Sequence, residues 1–127
     1  MSERPAIVRI HETDTPDMAR VTITLSYHDA EYVGIATGDA GMAARPRLVG
    51  EATLRAVEDV AEHRIRLNLE AVATTSLGMS QVAMAQVRIA GDTGMLVGSA
   101  LLAEQDGSAA TVRAVLDAIN RRLEQEL

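Results

Sequence analysis

The chain has 127 residues, 47% apolar and 24% charged, and a formal net charge of −6, which suits one soluble domain and opposes a nucleic-acid partner, whose phosphates reward a positive field. There is no Cys, which excludes disulfides, zinc–thiolate sites and thiol catalysis, and with no Phe or Trp the core must be built from Val, Leu, Ile, Met and Ala. No apolar run reaches the roughly 18 residues of a membrane helix, and MSERPAIVRI lacks the apolar stretch of a signal peptide, so a cytoplasmic protein with no membrane partner is expected.

In chain order, AIVRIHET reads as a first strand, and HETDTPD, residues 11 to 17, as a solvated acidic turn around Pro16. Val21, Ile23 and Leu25 alternate with Thr22, Thr24 and Ser26, the period-2 pattern of a half-buried second strand. YHDAE turns the chain into VGIATGD, a third strand. GDAGMAARPRLVGE follows as a loop, and Pro46 suits an early helical position, where its missing N–H costs nothing. A helix is predicted over ATLRAVEDV. Its stripe of Thr53, Leu54, Ala56, Val57, Val60 and Ala61 is weakly apolar.

The second half repeats the first. RLNLEAVATT and SQVAMAQVRI read as strands, AGDTG as a turn and MLVGSALLA as the return strand. Val112, Val115, Leu116, Ile119 and Leu123 then mark one face of a helix that Asp106 or Ser108 caps. Residues 110 to 115, ATVRAV, nearly copy residues 52 to 57, ATLRAV, so the match sets Ala52 over Ala110 and Glu58 over Leu116. On that match the first half carries an insertion of six residues, of unassigned role, around positions 40 to 50. The expected fold is a single α+β domain over 1–127. It consists of two β-β-β-α repeats, about 6–62 and 66–125, related by pseudo-two-fold symmetry, with the helices on one face of the sheets.

The last two strands are apolar on both faces, whereas one helix covers one face only. A homodimer is therefore expected, with Val87, Ile89, Leu96, Ala100 and Leu102 in its interface. Little in the sequence points to chemistry. His11, His28 and His63 stand in three different elements, and neither a metal-ligand spacing nor a nucleophile elbow, phosphate loop or dinucleotide fingerprint occurs. No catalytic residue, metal or cofactor is assigned. Three arginine pairs, at 45 and 47, 64 and 66, and 121 and 122, are interleaved with glutamates, which leaves an RNA-binding module as a distant alternative.

The layout, with a glycine-containing strand before each helix, and the stretch DGSAATVRAVLDAINRR resemble the carboxy-terminal regulatory domain of 2-isopropylmalate synthase, also found in citramalate synthases. Asp106, Ala110, Thr111, Ala114, Leu116, Ala118, Ile119, Asn120 and Arg121 carry the resemblance. The family's first-half Gly-x-Gly-Pro-x-Asp-Ala is replaced here by Gly34-Ile-Ala-Thr-Gly38-Asp39. The resemblance implies a non-catalytic, stand-alone homodimeric module that senses a small carboxylate metabolite or regulates a partner protein. Its ligand would sit near the helix starts, touching Gly38, Asp39, Gly98, Ser99, Asp106 and Ser108. An assembly protein with no ligand is the rival reading.

Overall fold

The alternation of Val21, Ile23 and Leu25 does produce a strand whose inner face is fully buried. The computed structural model of the chain describes residues 4–102 and 106–126. In order it contains β1 (Ala6–Asp14), β2 (Met18–Tyr27), β3 (Ala30–Asp39), a short 3-10 turn (Met42–Ala44), α1 (Arg45–Val60), β4 (Leu67–Leu77), β5 (Ser80–Ile89), β6 (Leu96–Leu101) and α2 (Gly107–Glu126). The strands form two separate antiparallel sheets, β1-β2-β3 and β4-β5-β6, each followed by its helix. Ala103, at the end of the last expected strand, lies outside the described residues. His28 and Asp29 both take left-handed backbone in the two-residue β2–β3 turn, as a type I′ hairpin demands.

The repeat is real, but its register differs from the one the sequence match suggests. β1 pairs with β2 with a bulge between Ile7 and Arg9, and β4 pairs with β5 with a bulge between Leu69 and Ala71. The strands thus correspond at a spacing of 62: Val8 with Glu70, Ile10 with Val72, Ile23 with Ala85. The helices obey the same spacing. A methyl group on Gly34 would overlap the carbonyl oxygen of Ala52 and the amide nitrogen of Ala56, and one on Gly98 would overlap the same atoms of Ala114 and Ala118. Each helix therefore rests its backbone on a bare strand glycine, at equivalent points. Ala52 lies over Ala114, one helical turn beyond Ala110, and Leu54 lies over Leu116.

Two consequences follow. Both helices start at equivalent positions, Arg45 and Gly107, so the extra length of the first half is two residues, in the segment before α1, instead of six. Glu58 corresponds to Asn120 and competes with no leucine. Its burial has a local cause, because its Oε2 accepts the backbone N–H of Leu67 at 2.7 Å and its Oε1 pairs with Arg55 Nε at 3.1 Å. Arg55 and Arg47 add hydrogen bonds to the carbonyls of Leu67 and Leu69. These bonds clamp the start of β4 along α1, which is consequently buried on several sides.

One continuous core draws on both sheets and both helices. The pleat decides which face of β5 and β6 joins it. Val87 and Ile89 are buried in the core, and Leu96, Ala100 and Leu102 pack against it. The facing is the reverse of the expected one, because α2 lies over these five residues. The opposite face of the same sheet carries Ala71, Ala73, Met84, Val97 and Leu101, with Val97 55% and Leu101 62% exposed. On the first sheet the outer face mixes Thr22 and Ser26 with exposed Val33 and Ile35.

Candidate functional site

A cavity of about 270 Å³ opens where the two helices begin. Its lining follows the internal symmetry. At the spacing of 62, Glu12 answers Thr74, Arg45 answers Gly107, Pro46 answers Ser108 and Val49 answers Thr111, and all eight line it, with Met42 from the two-residue-longer segment. The cavity therefore straddles the pseudo-two-fold axis, and each repeat supplies the same four positions with different chemistry.

The charge is concentrated on the first repeat. Glu12 and Asp14, read from the sequence as part of an acidic turn, belong to β1, and both pair with Arg45 at the start of α1. Glu12 Oε1 accepts from Arg45 Nη1 at 2.6 Å, and Glu12 Oε2 accepts from the Ser108 hydroxyl at 3.0 Å. One carboxylate thus ties β1 to the starts of both helices. The hydrogen bond that Arg45 donates to Glu12 raises its guanidinium above its ordinary pKa, and its Nε is buried without an acceptor among the described residues. The second repeat contributes hydroxyls: Ser108, Thr74 and Thr111, the last donating to the Gly107 carbonyl at 2.9 Å. Asp106 caps α2 by accepting the Ala109 N–H at 3.0 Å, so its side chain is committed to the helix.

Of the six residues expected at a ligand, Ser108 lines this cavity and Asp106 stands beside it as the cap. Gly38 sits beneath Leu48 of α1, Asp39 is exposed at the end of β3, and Gly98 is covered by α2. Ser99 faces a different groove, where its N–H donates to Asp117 Oδ2 at 3.0 Å. Sequence reasoning missed Glu12, Arg45, Thr74 and Thr111 as a group. The spacing of 62, which pairs Glu12 with Thr74, Arg45 with Gly107 and Val49 with Thr111, was the available signal, and the match at 58 concealed it.

The three histidines remain apart: His11 is on β1, His28 stacks edge-on against Tyr27 in a hairpin, and His63 lies 3.5 Å from Asp59 after α1. Among the described residues no group of three or more His, Cys, Asp or Glu side chains is placed to hold a metal ion, and no helix is long and apolar enough to cross a membrane. No protein-family model matches the chain, and no curated protein matches it.

Proposed function

We propose that the chain is a non-catalytic homodimeric module, built on the plan of the isopropylmalate synthase regulatory domain, that works in the cytoplasm by assembling with its own copy. The observation that carries this reading is the outer face of the second sheet, where Ala71, Ala73, Met84, Val97 and Leu101 stand uncovered. Each Å² of apolar surface left in water costs roughly 25 cal/mol, and a second copy stacked face to face across a two-fold axis removes that cost on both partners at once. Light scattering at micromolar concentration should give twice the 13.5 kDa chain mass, and Leu101→Asp should give the single mass with an unchanged far-ultraviolet spectrum. A wild-type protein that runs at 13.5 kDa would overturn the proposal.

A second reading, that the module also senses a small carboxylate metabolite, is favoured by the cavity on the pseudo-two-fold axis. Free N–H groups at the start of a helix suit a carboxylate, and the guanidinium of Arg45 lies beside them. Glu12 already occupies Arg45 and Ser108, so a ligand carboxylate must exchange with it. In a thermal-shift screen of amino acids and 2-oxo acids, a ligand present at 100 times its Kd should add about 2.7 kcal/mol. No shift with any acid leaves assembly as the whole function.

A further inference from the structure

The free edge of β4 is left unguarded where the chain guards its other edges. An edge strand shows a row of unpaired N–H and C=O groups, and charges, prolines, shortness or a covering element keep other chains from pairing with it. β1, the matching edge of the first sheet, carries Arg9, His11, Glu12 and Asp14 and runs into Pro16. β3 has Glu31 near its start and Asp39 at its end. β6 is short, and Asp117 takes the N–H of its Ser99. At the start of β4, Arg55 and Arg47 occupy the carbonyls of Leu67 and Leu69. Beyond Glu70 these devices stop. No Pro and no charged residue occurs before Arg88, and residues 73 to 77 are exposed on both faces of the strand. The turn that follows decides which groups are free. Gly78, at φ 61°, and Met79 form a two-residue turn, so the flanking Leu77 and Ser80 exchange both backbone bonds, as do Thr75 with Val82 and Ala73 with Met84. The N–H and C=O groups of Thr74 and Ser76 therefore point away from β5, and they have no hydrogen-bond partner among the described residues.

We propose that this edge pairs with the same edge of a second copy of the chain, antiparallel across a two-fold axis normal to the sheet. Thr74 exchanges both backbone bonds with the partner's Ser76, and Ser76 with the partner's Thr74. Between them Thr75 stands opposite the partner's Thr75, a cross-strand pair of the kind that stabilises sheets. On the outer face Leu77, 69% exposed, comes to lie beside the partner's Ala73. The segment is self-complementary, because no charge meets a like charge and each copy fills the other's free donors and acceptors. This contact does not rest on the stacking of outer faces. Its axis is normal to the sheet, whereas the stacking axis lies parallel to it, so both form at once and together join four copies. The overlap is short, which makes the edge contact the weaker of the two.

The chain has no cysteine, so one introduced thiol reports the contact. Thr75 and its counterpart would form a pair without mutual backbone bonds, whose Cα atoms lie about 4.5 Å apart, within the span of a disulfide. Thr75→Cys, mildly oxidised and run without reductant, should give a band at twice the 13.5 kDa chain mass. Thr13→Cys, exposed at the equivalent place on β1, should not. Adding Ser76→Pro removes an outward N–H while sparing the ladder to β5, and should abolish the cross-link with an unchanged far-ultraviolet spectrum. Adding Leu101→Asp, which breaks the stacked faces, should leave the cross-link in place. Equal cross-linking of Thr75→Cys and Thr13→Cys, or none of the first at millimolar protein, would overturn the proposal. So would a cross-link that survives Ser76→Pro and vanishes with Leu101→Asp, which would mean that stacked faces alone bring the two thiols together.

Discussion

Replacing Gly34 by Ala tests the helix-on-strand contact that sets the register of the whole fold. The new Cβ would lie inside the contact distance of three backbone atoms of α1, the Ala52 carbonyl oxygen, the Ala56 nitrogen and the Arg55 carbonyl carbon. Comfortable separations are about 3.5–4.0 Å, so the helix has to back away by more than an ångström, and no side-chain rotation relieves the clash. The retreat loosens Leu54 and Val57, both fully buried. Overpacking costs about 1–3 kcal/mol where side chains can yield, and here only backbone is available, so about 3 kcal/mol is expected. For a domain of this size that corresponds to a fall in Tm of about 10–15 °C. Gly98→Ala, against Ala114 and Ala118, should match it, whereas Gly41→Ala, with open space around it, should stay within about 0.5 kcal/mol of wild type. Thermal and urea denaturation followed by circular dichroism at one protein concentration reads all three. A Gly34→Ala protein that melts with the Gly41→Ala protein would refute the packing and, with it, the correspondence of Ala52 with Ala114.

Glu58→Ala removes the acceptor of the buried Leu67 N–H and should cost about 1–3 kcal/mol in urea unfolding, with β4 losing amide-exchange protection first. After α1 the N–H groups of Glu62 and His63 close on the carbonyls of Asp59 and Glu58, a Schellman motif with Glu62 at φ 57°, where glycine is the usual residue. Glu62→Gly should therefore raise stability by about 1 kcal/mol, seen as a higher Tm, and an unchanged or lower Tm would contradict this reading of the turn. Asp92 is held below the ordinary carboxylate pKa, first by the Gly94 backbone N–H and then by Arg122 at 2.8 Å. A depressed folded value stabilises above the unfolded pKa and is lost as pH falls through the folded one. The Tm difference between wild type and Asp92→Asn should thus be present at neutral pH and vanish well below pH 4.

The fold was legible wherever periodicity spoke. Alternation located β2, turn residues bounded β5 to the residue, and the apolar stripe of α2 located its buried face. The repeat register was not legible, for a physical reason. Alanines recur at four-residue steps along both helices, so sliding one helix by a turn keeps small residues over small residues, and ATLRAV scores better against ATVRAV than against AVLDAI. Only the strand glycine, through its contact with the helix backbone, distinguishes the two alignments. The face of β5 and β6 that meets water was hidden for a similar reason, since apolar residues stand on both sides and parity alone does not say which side the helix takes. Arg45 in turn was assigned to a loop, and its salt bridges to β1 span more than thirty residues of sequence, beyond the reach of any local pattern.

The repeat gives the chain two equivalent joints and one axial cavity, and their chemistry differs where the two halves differ in sequence. At the joints, Glu58 and Leu67 agree with each other and close the structure, whereas Asn120 and Pro5 do not and leave a groove. At the axis, Glu12 and Arg45 face Thr74 and Gly107, so a cavity with symmetric walls has its charge on one side only. On the proposed sensing reading, an acid seated there would meet a guanidinium and a carboxylate from one repeat and hydroxyls from the other, so the two ways round would differ in energy. The same asymmetry divides the labour within the chain. The first repeat carries the Glu58 and Arg55 bonds that hold β4 along α1, and the second leaves the apolar outer face of its sheet exposed.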